Sequence, residues 1–157
     1  MNAKPLLSVL TMLGAAACVH AGASDGGSQD TATLVCGENP TPAERRVFIA
    51  LPDPGVEPGG MPFVDKPVLQ ACDVDTVSWY GPDQFTIKFD DPAGTPLENA
   101  AQQAQARMTK AGVDFPSNGK GQLKLKVKKG AEKDKPYKYS VIVPGHTPLD
   151  PQVIIRK

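Results

Sequence analysis

The sequence is poor in the residues that enzymes and metal proteins rely on. It has two histidines, His20 and His146, among 157 residues. A Ser-His-Asp triad would have only these imidazoles to use, and no Gly-x-Ser-x-Gly elbow accompanies them. Cysteine is scarce too, at Cys18, Cys36 and Cys72. If Cys36 and Cys72 pair, too few ligands remain for a zinc site. The paired carboxylates Asp73/Asp75 and Asp90-Asp91 lack calcium-loop spacing and read as turn starters. No apolar run reaches the roughly 18–20 residues that cross a bilayer, and there are no internal repeats. The formal net charge is zero, which disfavours nucleic acid as a partner. The inventory therefore implies no catalytic residues, no metal site and no cofactor.

The amino terminus carries an export pattern. Lys4 precedes an uncharged apolar run, Leu6 to Ala17, of signal-peptide length. Val19-His20-Ala21 places small side chains at the −3 and −1 positions of a cut before Gly22, giving a signal peptide at 1–21. Ala15-Ala16-Ala17-Cys18 also resembles a lipobox, with Ala15 where Leu is usual. In that alternative the leader is 1–17 and Cys18 is the lipidation site. Residues 22–33 (GASDGGSQDTAT) read as a flexible linker, leaving one domain at 34–157. The expected location is periplasmic or secreted, or else lipid-anchored to the outer membrane, with the lipid on Cys18 as the sole membrane attachment. Either cut leaves Cys36 and Cys72 as an even pair in an oxidising compartment, which predicts a disulfide.

From Leu34 onward, short apolar runs alternate with Pro/Gly punctuation, the pattern of an all-β sandwich or barrel. Strands are expected at 45–51, 67–72, 74–80, 85–89, 122–128, 137–143 and 152–156. Residues 52–66, with four prolines and three glycines, read as loop. Within 85–89, Phe85, Ile87 and Phe89 belong on the buried face. One segment reads as helix. Thr95 and Glu98 form a capping box with Pro96 at the first helical position. Leu97, Ala101, Ala104, Met108 and Ala111 make one apolar stripe, and Gly112 is the stop.

Ser78-Trp79 at a strand end, the run Phe85 to Phe89, Tyr137 to Val143 and Leu149 to Ile155 together resemble cupredoxin-like β-sandwich proteins of the bacterial periplasm. The resemblance covers Val74 to Arg156, and such aromatic strands also occur in immunoglobulin-like sandwiches. It implies an all-β, Greek-key β-sandwich, cupredoxin-like or immunoglobulin-like, with one inserted α-helix at about 96–111. The family's copper chemistry does not follow. Type-1 copper uses two His, a Cys and usually a Met, whereas the last interstrand loop here, 144–151, offers only His146. A loose surface site of His146 with Met61 or Met108 is the weaker alternative.

Charge is unevenly spread. Residues 22–98 carry 13 acids and four bases, and residues 120–138 carry eight lysines and two acids. These regions are expected to face each other or water. Lys124, Lys126 and Lys128 are spaced by two, so a strand would present three ammonium groups about 7 Å apart on one face. They form a candidate anion-binding surface; edge-strand protection is the competing explanation. The function expected is that of a non-enzymatic exported envelope protein, a binding or accessory module of unknown ligand, with an envelope protein or an anionic surface as candidate partners. The alternative is a metal-binding or redox protein of the cupredoxin class with a non-standard site.

Overall fold

Alternation of apolar and polar residues is the rule that builds this chain. The structure is a computed structural model that describes residues 32–55, 57–91, 94–99, 107–109 and 112–157, without the side chains of 99, 108 and 109. Its strands are β1 (Glu44–Ala50), β2 (Phe63–Val64), β3 (Val68–Ala71), β4 (Thr76–Tyr80), β5 (Thr86–Phe89), β6 (Leu97–Asn99), β7 (Arg107–Thr109), β8 (Gly112–Pro116), β9 (Gln122–Val127), β10 (Pro136–Lys138), β11 (Ser140–Ile142) and β12 (Gln152–Ile155). In β1, Val47 and Ile49 are buried while Arg46, Phe48 and Ala50 are exposed; in β9, Leu123, Leu125 and Val127 are buried while Lys124 and Lys126 are exposed. Side chains two apart share a face, so each such strand gives one side to the core and the other to water.

The described strands form an all-β structure of three sheets. The first has the order β2-β1-β4-β9-β6, the second β10-β12-β3 and the third β11-β5-β8-β7. Most pairings are antiparallel, with β1·β4 and β12·β3 parallel. Four aromatic rings join the first sheet to the third. Trp79 of β4 meets Tyr139 edge-on at 5.8 Å, Tyr139 meets Phe89 of β5 at 5.7 Å, and Phe89 meets Phe115 of β8 at 6.2 Å. The second sheet adds Leu69, Ala71, Tyr137, Val153 and Ile155 to the same core. The Trp79 indole donates to the Tyr139 hydroxyl at 3.4 Å. Burial pushes the Tyr139 phenol up to about 12, against the pull of the Trp79 contact.

Near the start of β4 a covalent and an ionic tie coincide. Cys36 and Cys72 form a disulfide with Cα atoms 5.8 Å apart. The buried Asp75 carboxylate accepts from the Cys72 and Ala43 amides, each at 2.9 Å, and from Arg45 Nε at 2.6 Å. A carboxylate survives burial when its oxygens are this well supplied with donors. Asp75 thereby fixes the entry to β1 and the turn into β4 together.

The helix expected at 96–111 is corrected where the residues are described. Leu97–Asn99 and Arg107–Thr109 are strands, and residues 100–106 and 110–111 lie outside the described set. Helix propensity is a weak prior that pairing overrides. Leu97 sits in the core opposite Val127, and Glu98 stands opposite Lys126. The Thr95 hydroxyl is buried without a hydrogen-bond partner, so the capping box is not formed. Gly112 is no helix stop: at φ +138° it opens β8, where a Cβ would strike the Phe89 carbonyl oxygen. The 137–143 segment divides at Tyr139 into β10 and β11, which join different sheets. The expected leader, Cys18 and all but the last two residues of the expected linker lie outside the described residues.

Candidate functional site

The outward face of the first sheet is where charge, hydrogen bonds and exposed aromatics converge. Register places Arg46 beside Ser78, Phe48 beside Tyr80, Ser78 beside Lys124, and Tyr80 beside Gln122. Glu44, at the start of β1, organises them. Its Oε1 accepts from Ser78 Oγ at 2.7 Å, Lys124 Nζ at 2.9 Å and Tyr80 Oη at 3.3 Å. Its Oε2 accepts from Arg46 through Nε at 2.9 Å and Nη2 at 2.7 Å. Gln122 Nε2 donates to the Tyr80 hydroxyl at 3.2 Å. The Lys124 ammonium, then the Ser78 hydroxyl and the Arg46 guanidinium, hold the Glu44 carboxyl down at about 2. Glu44 is therefore ionised at any physiological pH.

Beside this network stands an aromatic pair. Phe48 stacks on Tyr80 with ring centroids 5.5 Å apart, and Phe48 is 52% exposed. Lys66 Nζ lies 6.0 Å from the Phe48 centroid and is held by Asp65 and the Arg46 carbonyl. Phe63, 60% exposed, is opposite Ala50 and so diagonal to Phe48 on the same face. Next to it an open groove of about 440 Å³ is lined by Met61, Phe63, Val64 and Leu149 with the acidic Glu57 among them.

The lysine row is only partly assembled. Lys124 is bound to Glu44, Lys126 stands opposite Glu98, and Lys128 falls one residue beyond β9, its amide donating to the Pro96 carbonyl. Strand β9 lies between β4 and β6, so edge protection does not explain these lysines. Acidic and basic regions do meet: besides Lys124–Glu44, Lys133 pairs with Asp73 at 2.8 Å. His146 is occupied structurally, its Nδ1 lying 3.0 Å from the Gly60 carbonyl. Among the described residues no three His, Cys, Asp or Glu side chains gather as a metal site would require, and no helix is long and apolar enough to cross a membrane.

Glu44, Arg46, Phe48, Tyr80 and Gln122 were not singled out by sequence reasoning. One signal was present: in Arg45 to Leu51, Phe48 shares the parity of Arg46 and not that of Val47 and Ile49. A large apolar residue there must face outward. Comparison of the chain with protein-family models, with curated proteins and with solved structures returns no match.

Proposed function

We propose that this chain is an exported, non-enzymatic binding module whose ligand surface is the outward face of β1, β4 and β9. The observation that carries the reading is Phe48: a large apolar ring, half exposed, set into a face whose polar side chains are already ordered around Glu44. Phe63 stands exposed diagonal to Phe48, and contiguous apolar surface rimmed by polar groups is what marks recognition sites. Export is supported by the leader pattern and by the Cys36–Cys72 disulfide, which suits an oxidising compartment. The architecture is read as a Greek-key β-sandwich of cupredoxin-like or immunoglobulin-like type, supported by the packing of Trp79 against the third sheet through Tyr139.

Adding a solubilised cell-envelope extract to the isotope-labelled mature chain tests the reading. Amide shifts should change along β1, β4 and β9. Changes confined to 144–149, or none, would overturn it. Intact mass from the envelope fraction checks export: residues 1–17 should be absent, and acyl mass on Cys18 would select the anchored form.

A further inference from the structure

We propose that this face binds a saccharide without large net charge, laid across the strands with its C–H face on Phe48 and its hydroxyls on Arg46, Lys124 and Gln122. The inference rests on the reading that this face is the ligand surface, and it adds the chemistry of the ligand.

The charge balance argues against a polyanion. Arg46, Lys66, Lys124 and Lys126 are matched by Glu44, Asp65 and Glu98, leaving a net of about +1. Glu44 does not protonate until about pH 2, so it offsets one of the two positive charges of Lys124 and Arg46 throughout. An anionic chain would meet the Glu44 carboxylate as well as the cations around it. A lipid surface is disfavoured at Phe48 itself, whose ring stands among the charges of Arg46 and Lys66 on the sheet face.

Beside that small net charge stands an array of hydrogen-bonding groups already held in place. Gln122 donates to Tyr80, Tyr80 donates to Glu44, and Ser78, Lys124 and Arg46 donate to Glu44 as well. Each ammonium and guanidinium has more N–H groups than these bonds use. A polyhydroxylated ligand supplies both acceptors and donors to such an array, and binding it requires little new ordering of side chains. Phe48 adds the second component of sugar recognition. Tyr80 stacks on the Phe48 ring and the Lys66 ammonium stands 6.0 Å from its centroid, so the axial C–H bonds of a pyranose, polarised toward positive, would meet the part of the electron-rich ring left exposed. Phe63, diagonal to Phe48, extends the apolar strip in the direction that crosses β1 and β2.

Calorimetric titration of the mature chain with four neutral tetrasaccharides tests this: chitotetraose, cellotetraose, maltotetraose and mannotetraose. Tetragalacturonate and phosphatidylglycerol vesicles serve as anionic probes. At least one neutral tetrasaccharide should bind, with affinity changing less than about twofold between roughly 50 and 500 mM salt, because no screened charge drives it. Phe48→Ala should weaken binding at least about tenfold, as truncation of an aromatic anchor does. Glu44→Gln should weaken it too, while Lys133→Gln, remote in the Asp73 pair, should not. Trp79 fluorescence confirms that each variant is folded. If all four neutral probes fail while the envelope extract still shifts β1, β4 and β9, the saccharide inference falls and the ligand-surface reading stands. Binding only to the anionic probes, lost in salt, overturns the inference in favour of a polyanion. Binding untouched by Phe48→Ala overturns it by placing the sugar elsewhere. If the extract shifts nothing either, both fall.

Discussion

Strands β1, β4 and β9 each carry two faces, and the faces obey different rules. Inward they present Val47, Ile49, Val77, Trp79, Leu123, Leu125 and Val127, all buried and apolar. Outward the same strands present Phe48 and a polar set, Glu44, Arg46, Ser78, Tyr80, Gln122 and Lys124, joined by hydrogen bonds centred on the Glu44 carboxylate. The inner face is held by shape and exclusion of water, so its energetics follow from burial. The outer face gains little stability from its ion pairs, because exposed pairs contribute only about 0–1 kcal/mol. That an arrangement this ordered adds so little to folding supports the proposed ligand surface.

The sharpest way to break the contrast is to exchange a large aromatic on each face. Trp79→Ala empties the place where the first sheet meets Tyr139. It should cost about 3–5 kcal/mol in urea unfolding, the range for buried aromatics. A loss below about 1 kcal/mol would mean that the sheets do not depend on this contact. Next comes the Cys36–Cys72 bond, which lies beside the Asp75 cluster. Closing a loop of this length stabilises by roughly 3–4 kcal/mol on chain-entropy grounds. The Cys36→Ser/Cys72→Ser double variant should lose about that much, and non-reducing peptide mapping of the natural chain should show the two cysteines linked.

A smaller effect sharpens the outer half. The Glu44 carboxyl falls from 4.5 in the unfolded reference to about 2 in the fold, mainly through Lys124, then Ser78 and Arg46. A depressed carboxyl stabilises the fold above the unfolded value and loses that contribution as pH drops through the folded one. Glu44→Gln should therefore be less stable than the natural chain at pH 6, by about 1 kcal/mol, the scale of partly exposed pairs. The gap should narrow from about pH 4.5 downward and close near pH 2. A gap independent of pH would show that the bonds to Glu44 do not need its charge.

Legibility in the sequence followed the same division. Alternation was readable in Phe85 to Phe89 and in Gln122 to Lys128, and a strand in Arg45 to Leu51; strands form at Thr86–Phe89, Gln122–Val127 and Glu44–Ala50. The disulfide was readable once the export pattern had set Cys18 aside and left an even pair. The 95–111 stretch misled because its local signals, the Thr95/Glu98 cap and an apolar stripe at helical spacing, are real. They lost to strand pairing: to partners distant in sequence at Leu97 and Glu98, which stand opposite Val127 and Lys126, and to the neighbouring β8 at Met108, which stands opposite Val113. Strand β8 went unforeseen for the same reason, although Val113 and Phe115 alternate with Asp114. The outer network was hidden because it needs three strands brought into register. Only after pairing does Glu44 meet Ser78, Tyr80 and Lys124, residues 34 to 80 positions away.

The smallest expected effect is the one on which the comparison turns. Phe48 is 52% exposed, so truncating it removes little buried area; what is lost is chiefly the stack on Tyr80. Such a stack contributes about 0.5–1.5 kcal/mol at most. Removing an exposed apolar ring also relieves an unfavourable contact with water. Phe48→Ala should therefore change unfolding free energy by about 1 kcal/mol or less, well below the loss for Trp79→Ala. The Glu44 bonds to Ser78 and Arg46 do not pass through Phe48, so the pH dependence assigned to Glu44 should persist in this variant. A loss above about 2 kcal/mol would show that the ring is part of the packing, since only buried aromatics cost that much. In that case the outer face would be an extension of the core, and the ordering around Glu44 would serve the fold itself. A near-silent effect on stability, set beside a clear loss of ligand, would separate the two faces of the sheet by function as well as by chemistry.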